Sequence, residues 1–164
     1  ERKSLIGQGS YEICRVQRII LINKVNKMNL FLDCEFNGFG GELISMALVD
    51  GEGHSFYEVL TCTHPEPWVA ENVIPKLVKT PISLIEFQNK LALFLNEYLK
   101  IHVVADWAED LSLFTRSLII SEGRAIRTPP LTMELWTGEM CFSSEIPHNA
   151  LSDARVLADS YTLQ

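Results

Sequence analysis

Short apolar runs in the first half of the chain predict three antiparallel strands. Apolar side chains dominate residues 29–32, 43–49 and 54–60, and each run has the length of a strand. The sequence Asp-Gly-Glu-Gly at 50–53, between the last two runs, is typical of a hairpin turn. We therefore expect the second and third strands to form a hairpin, with the first strand in the same sheet.

Helical spacing of apolar residues predicts two helices further along the chain. Residues 83–100 carry one apolar stripe, with Ser83 as the N-cap and Glu86 three residues later to complete a capping box. Residues 149–161 repeat apolar side chains at the same spacing after Pro147, which predicts a C-terminal helix.

The region between these helices predicts a strand, a further helix and a long irregular segment. Residues 101–105 form the predicted strand, and Leu111, Phe114 and Leu118 recur after it at helical spacing. Residues 124–147 contain two consecutive prolines and a glycine, so we expect mainly loop there, with one short strand or helix.

Acidic side chains stand at the ends of several predicted elements. Asp33 and Glu35 follow an apolar strand and should share one face of it, with Cys34 on the other, because side chains in a strand alternate. Asp110 follows the strand at 101–105, and Asp153 borders the apolar stripe of the C-terminal helix. Converging carboxylates are costly to bury unless cations compensate them, so this pattern favours a divalent metal site with oxygen ligands.

His148 lies five residues before Asp153, at or just before the first turn of the C-terminal helix. An imidazole in a loop at this place can reach the acidic site and act as a base near neutral pH. The alternative is an ordinary surface histidine near a helix N-terminus.

In this order and setting, the residues resemble the DEDDh branch of the 3'-to-5' exonucleases, which includes polymerase proofreading subunits, RNase T and oligoribonuclease. Asp33-Cys34-Glu35 matches the first motif, Asp110 the second, and His148 with Asp153 the H-x-x-x-x-D third motif. The resemblance covers about residues 28–161 and is most specific in the third motif. The runs most similar to a compact exoribonuclease group of this branch are residues 33–38, 41–49, 73–77 and 148–155.

This resemblance implies an α/β fold of the RNase H-like type, a mixed sheet of three antiparallel strands plus parallel strands, flanked by helices. It implies two divalent cations, Mg²⁺ or Mn²⁺, held by the four carboxylates, with His148 as the general base. The implied reaction removes nucleoside 5'-monophosphates from the 3' end of RNA or DNA. It also implies a homodimer.

Two positions depart from the pattern of this branch. Asn37 stands where many members have Thr or Ser, which affects a substrate contact near the scissile phosphate. Ala105-Asp106 stands where the second motif usually has His-Asn, and this leaves two candidates for the third carboxylate. Asp106 is a natural helix N-cap and Asp110 lies one turn further on the same face. The family spacing favours Asp110.

The aromatic residues near the first motif are candidates for holding a nucleobase. Phe36 and Phe39 lie in a glycine-rich turn, and bases of single strands commonly stack on such rings. Together with Asn37 they form the predicted substrate contacts. For Trp107 and Trp136 we predict packing in the core.

Length and charge favour one catalytic domain acting on single strands. The chain has 164 residues, 47% of them hydrophobic, which is enough for one core. Residues 1–27 form a basic segment that we expect to be an extension, and residues 28–164 the domain. This domain holds eight basic and 19 acidic side chains, a formal charge of −11. An acidic surface argues against gripping a long duplex and fits a single-stranded 3' end of RNA or DNA.

Other compositional features narrow the setting. The four cysteines form no C-x-x-C pair, which argues against a zinc site and for a reducing, cytoplasmic location. No apolar stretch approaches the ~20 residues of a membrane span, so we expect no membrane partner. One alternative stays open at this stage: a nuclease-like module that binds nucleic acid or a protein partner with little or no cleavage.

Overall fold

The computed structural model describes residues 27–163, and their architecture is a mixed β-sheet flanked by helices. The strands are β1 (Met28–Phe36), β2 (Leu43–Asp50), β3 (Ser55–Val59), β4 (Ile101–Ala105), β5 (Ile119–Ser121), β6 (Arg124–Ala125) and β7 (Leu131–Leu135). The helices are α1 (Pro67–Asn72), α2 (Leu84–Leu95), α3 (Ala108–Ser117) and α4 (Ala150–Thr162), with a 3₁₀ turn at Ile74–Lys76. The basic extension predicted for residues 1–27 lies outside the described residues, apart from its last position.

Five strands form the main sheet in the order β3-β2-β1-β4-β7, while β5 and β6 pair separately. Strands β1, β2 and β3 are antiparallel neighbours, whereas β4 pairs parallel with β1 and β7 pairs parallel with β4. The mixed α/β sheet expected from the resemblance to RNase H-like proteins is therefore confirmed. The predicted hairpin is confirmed too: Asp50 Oδ1 accepts the backbone N–H groups of Glu52 and His54, both at 2.9 Å.

Alternate residues of β1 enter two separate layers of the core. Leu30, Leu32 and Cys34 pack against α2 and α3 on one face of the sheet. Phe31 packs against α4 on the other face, where Leu157 and Ala158 meet it. Since side chains in a strand alternate, the two acids that follow Phe31 at odd positions lie on the α4 side.

The ends of two elements differ from the sequence-based expectation. Helix α2 begins as predicted, with Ser83 Oγ accepting the N–H of Glu86 at 3.2 Å, but it ends at Leu95 and not at Lys100. The Asn96 amide donates to the carbonyls of Ala92 and Arg127, at 2.7 and 2.8 Å, and this closes the last turn early. Residues 124–147 are largely irregular, as expected, with β7 as their main strand.

Three further findings concern helices and tryptophans. Helix α1 has no counterpart among the predicted elements, since its six residues are too few to show a helical period.

Trp136 is buried, as predicted, whereas the prediction of core packing for Trp107 is wrong, because its side chain is 61% exposed at the start of α3. Among the helices between residues 27 and 163, none combines the length and apolarity needed to cross a membrane.

Candidate active site

Four carboxylates gather around that of Asp33, on the edge where β1 and β4 end. In one group, carboxylate oxygens of Asp33, Glu35 and Asp153 all lie within 4.8 Å of one another. In a second group, those of Asp33, Asp106 and Asp110 do so as well. The structure thus brings together all four predicted metal ligands. Asp106 and Asp110, the two candidates for the second motif, both lie close to Asp33.

The first motif is positioned by the alternation of β1. Asp33 and Glu35 face α4, which supplies Asp153 from its first turn. Cys34 points the other way, into the core, where its thiol lies 4.0 Å from the main-chain oxygen of Asp110. A β-bulge between Glu35 and Phe36 then ends the regular pairing with β2 and turns the chain into the residue 37–41 loop.

The second motif lies at the start of α3, one residue later than expected. The N-cap position falls on Trp107, whose side chain makes no capping hydrogen bond, so the predicted N-cap role of Asp106 is wrong. Asp106 precedes the cap, and its carboxylate lies within 4.8 Å of those of Asp33 and Asp110. Asp110 is only 2% exposed and stands in the first turn, where the positive end of the helix dipole favours a carboxylate.

The third motif is held in a fixed loop conformation. His148 has a positive φ of 64°, which is rare for a residue with a side chain, and its N–H donates to Asp153 Oδ2 at 2.9 Å. Asn149 caps α4 by accepting the N–H of Ser152 at 3.2 Å and donates to the carbonyl of Lys76 at 2.8 Å. The loop is therefore tied both to its own helix and to the 3₁₀ turn beneath it.

Burial and mutual repulsion raise the pKa of three of these carboxyl groups, Asp33, Glu35 and Asp110. Burial, and then the charge of Asp110 and Glu35, raises the pKa of Asp33 well above its usual range. Burial and the charge of Asp153 raise the pKa of Glu35 to about 7, although Lys76 opposes this. Burial and the charge of Asp106 raise the pKa of Asp110 to about 8.

The donor set fits hard divalent cations. Asp33 Oδ2 is buried and has no hydrogen-bond partner, and an isolated buried carboxylate oxygen is costly unless something positive reaches it. The surrounding ligand atoms are carboxylate oxygens, which Mg²⁺ and Mn²⁺ prefer. Asp33 belongs to both carboxylate groups, so it is the residue placed to contact a cation in either.

The stabilisation by metal should depend on pH. Because the folded-state pKa values of Glu35 and Asp110 are raised, the metal-free fold binds extra protons and loses stability as pH rises from about 5 to 8. A bound Mn²⁺ would replace those protons, so the gain in melting temperature from millimolar Mn²⁺ should grow over the same interval. Thermal melting at several pH values, with Mn²⁺ and with chelator, measures this. A gain that is absent or constant over that pH range would contradict it.

A cavity of about 470 Å³ opens directly beside the acids. Glu35 and His148 line it, and so do the rings of Phe36, Phe39 and Trp107. Phe39 is fully exposed and Phe36 is half-buried, so both predicted stacking residues border this space. Trp68 of α1 forms the far wall, with its ring 5.0 Å from the imidazole of His148 in an edge-on arrangement.

A larger groove of about 710 Å³ lies on the other side of the glycine-rich loop. The N–H of Gly40 donates to Glu109 Oε1 at 2.9 Å, and Glu109 borders both spaces. Arg116 lines the larger groove at the end of α3. The two spaces are therefore neighbours, separated by one loop and one side chain.

Several site residues were not identified from the sequence. Lys76 donates to the carbonyl of Pro147 at 2.7 Å and thereby fixes the loop before His148; it lies in the run 73–77, which contributed to the resemblance. Trp68 gave no signal of its own. It reaches the cavity only because a loop and a short helix after β3 fold back over the end of β1, which no local pattern predicts.

Comparison with known proteins gives a partial match. No protein-family model matches the chain. Two curated proteins of Mycobacterium tuberculosis, from strains CDC 1551 / Oshkosh and ATCC 25618 / H37Rv, are each named a 3'-5' exoribonuclease. Each is 37% identical to this chain over 79 residues, which is 45% of this chain and 47% of the relative. The chain thus spans about half the length of the curated relatives it matches.

Proposed function

We propose that this protein is a metal-dependent 3'-to-5' exoribonuclease that shortens single-stranded or short RNA and releases nucleoside 5'-monophosphates. The observation that carries the proposal is the pair of carboxylate groups that share Asp33, with His148 and an aromatic cavity beside them. The names of the two partial relatives support RNA as the substrate.

The metal ligands in this proposal are the four carboxylates of the motifs. Asp33 would contact both cations, while Glu35, Asp110 and Asp153 would complete their coordination. Bound Mg²⁺ or Mn²⁺ would supply Lewis-acid stabilisation of the charge that develops on the phosphate oxygens. The buried, unpartnered Asp33 Oδ2 supports this assignment, because a purely structural carboxylate would have a hydrogen-bond donor.

His148 would remove the proton from the attacking water. The main-chain N–H of His148 donates to Asp153, which belongs to the carboxylate group with Asp33 and Glu35. This hydrogen bond holds the imidazole close to that group. The imidazole also lines the cavity, where a terminal nucleotide would sit. A base must be within hydrogen-bond reach of the water it activates, and this placement allows that.

The cavity would hold the terminal nucleotide. Stacking of a base on an aromatic side chain contributes roughly 1–3 kcal/mol and tolerates every base, as a degradative enzyme requires. Trp68, Phe36 and Phe39 offer such rings around the cavity. The next nucleotides would pass into the groove of about 710 Å³, where Arg116 is placed to meet a phosphate. A homodimer and a cytoplasmic location remain proposals drawn from the sequence.

The direct test is digestion of RNA and DNA oligonucleotides of the same sequence, labelled at the 5' end. With Mn²⁺ we expect a ladder that shortens one nucleotide at a time for RNA, and no change with chelator. A blocked 3' end should prevent the reaction. Binding without shortening would instead favour the non-cleaving module. That alternative is supported by Ala105-Asp106, which stands where the second motif usually has His-Asn.

Asp110→Asn and Asp106→Asn should differ in effect. Asp110 is buried within the carboxylate group, so its loss should lower the rate by ~10² or more, since metal ligation supplies several kcal/mol. Asp106 is exposed and caps no helix, so its loss should lower the rate by less than ~10-fold. Because the charge of Asp106 raises the pKa of Asp110, its removal should not lower the melting temperature. Rates and melting curves of both variants, measured together, check this. The opposite order of effects would assign the second-motif carboxylate to Asp106.

A further inference from the structure

The side chain of Asn37 joins the end of β1 to the turn that precedes α1. Its Nδ2 donates to the carbonyl of His64 at 2.9 Å, and its Oδ1 accepts the N–H of Glu66 at 2.7 Å. Both polar ends of the amide are therefore used by the main chain of one three-residue turn. A serine or threonine has a single hydroxyl oxygen and cannot span the two groups in this way.

Helix α1 needs such an attachment because it has little support of its own. It has six residues, and isolated helices of this length are unstable in water. Glu66, at the N-cap position, makes no side-chain capping hydrogen bond. Val69 anchors the helix by packing with Ile44 and Val73, while the neighbouring Trp68 is 54% exposed at the cavity.

Gly38 adds a second, independent contact between the same two segments. Its φ is 68°, and a Cβ built on it would lie 2.4 Å from the carboxyl group of Glu66. The loop after β1 thus lies against the carboxyl end of the exposed Glu66 side chain, which can swing aside. The two hydrogen bonds of Asn37 therefore carry the attachment.

We propose that Asn37 is a positioning residue, which holds the residue 64–66 turn so that Trp68 stands against His148 and closes the cavity. Asn37 would thus influence the terminal nucleotide through Trp68, and not by touching the substrate. The role in nucleotide binding rests on the proposed function, whereas the mechanical role of Asn37 does not.

Hydrogen exchange tests the mechanical role without any substrate. In Asn37→Ala, the Glu66 amide should exchange at least ~10-fold faster than in the wild type, because its acceptor is gone. Asn96→Ala is the matched control, since the Asn96 amide also makes two hydrogen bonds to the main chain but lies at the end of α2. Unchanged exchange at Glu66 in Asn37→Ala would overturn the proposal.

A double-mutant cycle separates positioning from direct contact. Binding of adenosine 5'-monophosphate, measured by calorimetry with Mn²⁺, should weaken roughly tenfold in Asn37→Ala and in Trp68→Ala. If Asn37 acts through Trp68, the double variant should bind no more weakly than Trp68→Ala alone. Additive losses would overturn the proposal in favour of a direct contact. If the wild type does not bind the nucleotide, the proposed function fails, while hydrogen exchange still decides the mechanical role.

Discussion

Replacing His148 with alanine is expected to slow RNA shortening by ~10² to 10⁴ while leaving Mn²⁺ affinity unchanged, the usual loss for a positioned general base. The structure supports a separate role for the imidazole, because only the main-chain N–H of His148 contacts Asp153 and the ring itself lies in the cavity. Removing the ring should therefore spare the carboxylates. Single-turnover rates and calorimetry with Mn²⁺ measure the two effects independently.

The pH dependence of the rate gives a second signature of the same role. With Mn²⁺ at saturation, so that the metal-binding carboxylates stay deprotonated, the wild-type rate should rise with pH, because a general base must be unprotonated to act. The alanine variant should lack this rise. His54→Ala is the matched control, because His54 pairs with Glu97 on the exposed surface and should keep the wild-type rate. A His148→Ala variant with the wild-type rate and pH profile would remove the general base from the proposal.

The parts of the site that follow local rules could be predicted from the sequence. Strand alternation alone placed Asp33 and Glu35 on one face and Cys34 on the other, and the helical stripe around Ala154 placed Asp153 at its border. These periodicities depend on backbone geometry, which the fold does not change. The parallel strands of the mixed sheet came from the resemblance, because the residues by themselves do not determine how strands distant in the sequence pair.

The parts that depend on tertiary packing could not be predicted. Whether α3 begins after Asp106 or after Trp107 changes the chemistry of both residues, and nothing local separates the two possibilities. The actual start leaves Trp107 exposed and lets the Asp106 carboxylate reach Asp33. Helix α1 was missed for a related reason, since its stability comes from Val69 and the attachment at Asn37.

Asp33 has the largest predicted influence on both activity and stability, and the two should change in opposite directions. Asp33→Asn keeps the shape of the side chain but removes a negative charge from the position that both carboxylate groups share. Activity should fall by roughly 10³-fold or more, because metal ligation contributes several kcal/mol to the transition state. The increase in melting temperature caused by Mn²⁺ should largely disappear in the same variant.

Without metal, Asp33→Asn should melt at a higher temperature than the wild type at pH 8. At this pH the wild-type carboxyl group must either carry a charge in a buried position among other carboxylates or hold a proton. Either state raises the free energy of the metal-free fold. The pKa of Asp33, raised by burial and then by the charge of Asp110, reflects this cost. Asparagine has no charge to bury. Asp159→Asn is the control, because it changes the net charge by the same amount but removes an exposed carboxylate on α4. It should change neither the melting temperature nor Mn²⁺ binding. If Asp33→Asn melts at a lower temperature than the wild type in chelator, the carboxylate stabilises the fold and the prediction is wrong. If the variant still gains stability from Mn²⁺, the metal site lies elsewhere. The expected combination, a more stable metal-free fold with neither metal response nor activity, is what a site that sacrifices stability for metal binding should show.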